Sequence, residues 1–174
     1  MQREQFEDVL ARAAAICKSQ PLIIFGSQSV HAITTAPPTE VLLSVECDVW
    51  TRDLAEAASL ERGLGKDSEY ARAKGVYADP LPPQLPTLPS GWEQRLVPYK
   101  AGEVTAQCLE IHDLIVSKLA AGRFKDYEFI AAILLRKLGR VEEVQARIMS
   151  FQDVHTRAGL LARWRMAQEA TAGI

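Results

Sequence analysis

Leu22-Ile23-Ile24-Phe25-Gly26-Ser27 and, twenty positions on, Glu46-Cys47-Asp48-Val49-Trp50 decide how this chain is read. The first run is apolar, too short for a helix and bounded by Pro21 and Gly26, so it predicts a buried strand closed by a Gly-Ser turn. The acids of the second follow another apolar run, Val41 to Val45, and a strand over Val41 to Trp50 is expected. Side chains alternate across a strand, so Glu46 and Asp48 share one face, where two carboxylates can hold a hard cation. Such a pair suits Mg²⁺-assisted phosphoryl chemistry. A solvated strand rim is the other reading.

Around this pair the pattern alternates between strand and helix signals. Phe6, Val9, Leu10, Ala13, Ile16 and Cys17 recur at helical spacing, predicting an amphipathic helix from about Gln2 to Lys18. After Gly26-Ser27 a short helix runs through His31, and Pro37-Pro38 breaks it. Asp53 with Glu56 reads as a capping pair for a helix through Leu60, stopped by Gly63 and Gly65. Beyond the polar stretch Lys66 to Arg72, a third strand is expected near Gly75 to Asp79. Prolines crowd positions 80–89, which predicts an extended surface connection. Short strands follow near Arg95 to Tyr99 and Glu103 to Leu109. From Ile111 the period is helical, with helices over Asp113 to Ala121, Lys125 to Leu138, Val141 to Phe151 and Val154 to Ala172.

The chain has 174 residues with formal net charge −2, which suits one compact domain or a domain with an appendage and gives no global attraction to nucleic acid. The N-terminus lacks a basic start followed by an apolar stretch, and no run is long enough to span a membrane. A cytoplasmic protein without a membrane partner is expected. Cys17, Cys47 and Cys108 are odd in number and widely spaced, reading as reduced core residues rather than a disulfide framework or zinc site. His31, His112 and His155 show no ligand spacing and read as surface or helix-end residues. Trp92, after Pro89-Ser90-Gly91, reads as a pin for the proline segment.

The Gly-Ser turn and the acid-apolar-acid-apolar strand together resemble the nucleotidyltransferase signature. From Leu22 to Leu138 the chain more closely resembles DUF6036, a bacterial family of nucleotidyltransferase-like proteins related to the AbiEii toxins of type IV toxin–antitoxin systems. The matching pieces are Ile24-Phe25-Gly26-Ser27-Gln28, Val45-Glu46-Cys47-Asp48-Val49-Trp50, Leu88-Pro89-Ser90-Gly91-Trp92-Glu93-Gln94-Arg95-Leu96, Cys108 through Leu119, and Ala121-Gly122-Arg123-Phe124-Lys125-Asp126. The resemblance implies an α/β (α+β) fold: a small mixed sheet flanked by helices over residues 1–110, with a C-terminal helical subdomain, 111–174, packed on it.

It also implies roles. Gly26 and Ser27 would hold the phosphates of a nucleoside triphosphate, a task suited to a glycine turn whose N–H groups approach an anion; a tight turn, or Ser27 as a helix cap, is the plainer reading. Glu46 and Asp48 would bind Mg²⁺ or Mn²⁺. Relatives use a third carboxylate as general base, for which Asp79 is the candidate; a turn-initiating Asp before Pro80 is the alternative. Glu110 is a weaker candidate, with a helix start as its other reading.

Lys118, Lys125 and Asp126 inherit a place in the nucleotide pocket, although Lys118 can instead snorkel from its apolar helix. The implied activity is Mg²⁺-dependent transfer of a nucleotidyl group to a hydroxyl of RNA (tRNA included), protein or a small molecule. The alternatives are a non-catalytic nucleotide- or protein-binding module with an antitoxin-like partner, and a metal-dependent phosphohydrolase.

Overall fold

The computed structural model describes residues 1–18, 21–81 and 87–172. They fall into two compact units, one of Met1–Leu85 with Leu96–Leu109, the other of Pro86–Arg95 with Glu110–Ile174.

The first unit is a mixed five-stranded sheet flanked by helices. Its strands are β1 (Leu22–Phe25), β2 (Glu46–Trp50), β3 (Tyr77–Leu81), β4 (Val97–Ala101) and β5 (Val104–Cys108), in the order β3-β2-β1-β5-β4. β1 runs antiparallel to β2 and parallel to β5, β2 runs parallel to β3, and β4 and β5 form a hairpin. Pro80 and Pro98 lie on β3 and β4, the two edges, where a missing N–H need not break a ladder.

One sheet face is apolar. Leu22, Ile24, Cys47, Val49, Ala78, Ala106 and Cys108 pack there with Phe6, Val9, Leu10 and Ala13 of α1 (Arg3–Ile16) and with Leu60 and Leu64 of α3 (Leu54–Leu64). The strand alternation that buries these residues sends Glu46, Asp48, Tyr77 and Asp79 to the opposite face. All three cysteines are reduced and buried, as their spacing suggests.

Several local expectations are corrected. Val41 to Leu43 are not strand: Pro38 caps a helical turn, α2 (Thr39–Leu43), and its carbonyl accepts from Val41 N at 3.0 Å. Val41 is fully buried, and the Gln28 amide donates to the carbonyl of Ser44 at 3.2 Å, so tertiary contacts override β propensity here. β2 therefore begins at Glu46 and its two acids stand near its start.

Within the polar stretch, Ser68 caps a helix, α4 (Glu69–Lys74), by accepting from Ala71 N, and left-handed Gly75 ends it. Gly65 caps α3 as expected, whereas Gly63 lies inside the helix, where an added Cβ would stand 2.7 Å from the Ile16 Cδ1 methyl. Of the expected proline connection, Pro80 and Leu81 belong to β3, and residues 82–86 lie outside the described residues.

The second unit holds α5 (Ile111–Ala121), α6 (Phe124–Leu135), α7 (Val141–Met149) and α8 (Val154–Ala172), with a 3-10 helix over Trp92–Arg95. Arg95 is not strand. Its guanidinium grips the fully buried Asp113 carboxylate through Nε at 2.8 Å and a second nitrogen at 2.9 Å, and Arg147 closes on the same group at 3.2 Å. Arg163 donates to the carbonyls of Leu119 and Ala120, satisfying the exposed end of α5 before left-handed Gly122.

Candidate functional site

The turn after β1 depends on one residue. Gly26 has φ 65° and ψ −166°, a backbone region open essentially to glycine alone. A Cβ at Gly26 would lie 1.7 Å from Oδ2 of Asp48. The carboxylate occupies the space a side chain would take, so the glycine is required twice over: by its own torsions and by its neighbour. Ser27 then opens a 3-10 helix, Ser27–Ala32.

Sheet pairing gathers the acids. Phe25 of β1 faces Asp48 of β2 in register, and Asp48 in turn lies beside Asp79 of β3. Glu46 lies beside Tyr77. Neighbouring strands are about 4.8 Å apart, so Glu46, Asp48 and Asp79 occupy adjacent positions on one face, with the Gly26 turn against the middle carboxylate.

Tyr77 joins them: its hydroxyl donates to Oε2 of Glu46 at 3.2 Å. Burial, then the negative charge and hydrogen bond of Glu46, then Asp79 and Asp48, push its phenol up to about 12. It is a permanent donor at neutral pH. Sequence reasoning missed Tyr77. The alternation Tyr77-Ala78-Asp79 was a signal for it, but the partnership with Glu46 depends on cross-strand register.

The turn reading of Asp79-Pro80 is overturned, because both residues lie within β3 and pair with Asp48 and Val49. Glu110 is a helix cap: it accepts from His112 N at 2.9 Å and Asp113 N at 3.3 Å, and from the His112 ring at 2.6 Å. Burial raises its pKa, but the His112 bond and these backbone donors outweigh burial and leave it below the ordinary carboxylate value.

His112 is a helix-end residue, at the start of α5, but it is buried and links two elements rather than lying at the surface. Its Nε2 accepts from Arg140 N at 2.9 Å, which leaves Nδ1 to carry the proton toward Glu110. His31 is likewise a core residue, stacked on Phe6 with centroids 5.1 Å apart. His155 is exposed, in keeping with its sequence reading.

Lys118, Lys125 and Asp126 belong to the second unit. Lys118 is buried on α5, its ammonium 3.3 Å from Oδ1 of Asp126 and 5.4 Å from the Phe129 ring centre. It therefore meets an anion instead of snorkelling. Asp126 also accepts from Arg123 Nε at 2.8 Å and caps α6 by accepting from Arg123 N at 3.1 Å. Burial raises the Asp126 pKa, but Arg123 and Lys118 outweigh it and hold the carboxyl below its usual value. Lys125 is exposed.

The metal that the resemblance implies is a hard divalent cation. Among the described residues, no group of three or more His, Cys, Asp or Glu side chains is arranged to hold a metal ion. The donor chemistry does fit: Glu46 and Asp48 supply hard oxygens from one strand face, and Asp79 is next in register.

A mixed sheet with a glycine-serine turn seated on an acid-x-acid strand defines a nucleotidyltransferase-like protein. The chain belongs to the family described as "Nucleotidyltransferase of unknown function (DUF6036)", whose model matches residues 4–169 of the 174. No curated protein and no solved structure matches it. Among the described residues, no helix is long and apolar enough to cross a membrane.

Proposed function

We propose that the chain transfers a nucleotidyl group from a nucleoside triphosphate to an acceptor hydroxyl. The observation that carries this reading is the register Phe25–Asp48–Asp79, which sets the phosphate-turn candidate, a metal-ligand candidate and a base candidate side by side. Glu46 and Asp48 would hold Mg²⁺ or Mn²⁺, which when bound supplies charge neutralisation at the triphosphate. Gly26 and Ser27 bind phosphate oxygens at the turn, whose close backbone approach only glycine permits.

Asp79 accepts the proton of the attacking hydroxyl. The acceptor oxygen bonds to the α-phosphorus, the bond to the β-phosphate breaks, and pyrophosphate leaves. Lys118, Lys125 and Asp126 are proposed nucleotide contacts on the family resemblance; the Lys118–Asp126 ion pair means that Lys118 also has a structural partner to keep.

RNA, tRNA included, is the first acceptor class to test, with protein and small-molecule hydroxyls next. The experiment supplies each α-labelled triphosphate with Mg²⁺ and either total RNA or purified tRNA. Label on the acceptor with release of pyrophosphate supports transfer. Label released as free monophosphate points to a phosphohydrolase, and Mg²⁺-dependent binding without turnover on any acceptor points to a nucleotide-binding module, for which an antitoxin-like protein is the partner to seek.

A further inference from the structure

Outside the acids themselves, the feature that bears most on this face is a neutral side chain. Tyr77 sits directly opposite Glu46 in the β2–β3 register and donates its hydroxyl to Oε2 at 3.2 Å. We propose that Tyr77 is a positioning residue for the metal: it fixes the Glu46 carboxylate through one oxygen so that the other is presented on the face shared with Asp48 and Asp79. The proposal rests on the assignment of Glu46 and Asp48 as metal ligands made above.

The physical reason is one of rotamers. A glutamate has three side-chain torsions and a longer reach than aspartate, so Glu46 without this bond would sample more positions and pay more ordering entropy when it binds a cation. A phenol on the adjacent strand removes much of that freedom before the cation arrives. Its backbone is held by the same parallel ladder that aligns Asp48 with Asp79, so it is anchored to the frame that carries the other two acids. Groups that hydrogen-bond metal ligands in this way typically contribute ten- to a hundredfold in metal affinity.

Mn²⁺ titration calorimetry of the whole chain tests the proposal without any catalytic readout. The proteins are the unmodified chain, Tyr77→Phe, Glu46→Ala and the double variant, with circular dichroism and thermal midpoints to verify folding. The expected result is a Tyr77→Phe affinity roughly 10- to 100-fold weaker than that of the unmodified chain, with no further loss when the same change is made in Glu46→Ala. A merely structural tyrosine would shift the midpoint and leave Mn²⁺ affinity alone, or cost the same in both backgrounds; either result overturns the proposal while leaving the functional reading in place. Absence of Mn²⁺ binding by the unmodified chain overturns both.

Discussion

Replacing Gly26 with alanine applies the sharpest available perturbation to the site, because two independent penalties fall on one methyl group. The first is torsional: φ 65° with ψ −166° costs a non-glycine residue roughly 1–3 kcal/mol. The second is steric. The new Cβ would stand 1.7 Å from Asp48 Oδ2, where real Cβ atoms essentially never approach within 3.0 Å, so the carboxylate must retreat by more than about 1 Å. Torsional strain alone, in a domain of this size, lowers the thermal midpoint by roughly 2–4 °C per kcal/mol, hence by about 2–12 °C in all.

The steric penalty reads out at the site. A misplacement near 1 Å of a positioned group costs on the order of a hundredfold in rate, so Gly26→Ala should transfer nucleotide at roughly 1% of the normal rate or less even where it remains folded. Urea denaturation with a circular dichroism readout measures stability, and the labelled-triphosphate assay measures transfer. Normal stability together with normal transfer would refute the argument that the turn is seated on Asp48. Normal transfer with lowered stability would leave the strain argument standing and remove Asp48 from the site.

Asp79→Asn keeps the shape of the side chain and removes its basicity; it should preserve Mg²⁺-dependent triphosphate binding while lowering transfer on the order of a hundredfold or more, and calorimetry beside the transfer assay separates the two effects. Lys118→Met retains an apolar stem but leaves buried Asp126 with Arg123 alone, so stability should fall by about 1–3 kcal/mol in urea titration. An unchanged urea midpoint would show that the ion pair contributes nothing net. The Asp126 pKa is depressed in the folded chain, so the stabilisation it supplies is present above its unfolded value of 3.8 and is lost as pH falls through the lower folded value. In Asp126→Asn that part of the acid dependence should vanish, as measured by the thermal midpoint between about pH 5 and pH 2.

What was legible in the sequence followed from local physics. Leu22 to Phe25 is a strand because four apolar residues between Pro21 and Gly26 have no other use, and Asp53 announces α3 by accepting from Glu56 N at 2.7 Å. Glu46 and Asp48 were placed on one face by alternation alone. Two elements were hidden by composition: the Val41 turn carries strand-forming residues in a helical conformation set by Pro38 and burial, and α4 lies in a polar stretch with only Ser68 and Gly75 to mark it.

The arrangement of the site was hidden for a different reason. That Asp79 neighbours Asp48, that Tyr77 meets Glu46, and that Lys118 pairs with Asp126 are consequences of register and packing between elements, which no window of sequence contains. Asp79-Pro80 looked like a turn because that dipeptide usually starts one. At a sheet edge, with no ladder bond demanded of the proline nitrogen, it is strand.

The central claim is that the Glu46–Asp48 face binds a divalent cation and, through it, a triphosphate. Calorimetric titration of nucleoside triphosphate into the unmodified chain and into Asp48→Ala, each with Mn²⁺ and with chelator, tests it most directly. Binding should strengthen roughly tenfold or more with Mn²⁺ in the unmodified chain, and should not strengthen in a folded Asp48→Ala protein. Equal triphosphate affinity in the two proteins, with or without the metal, would contradict it.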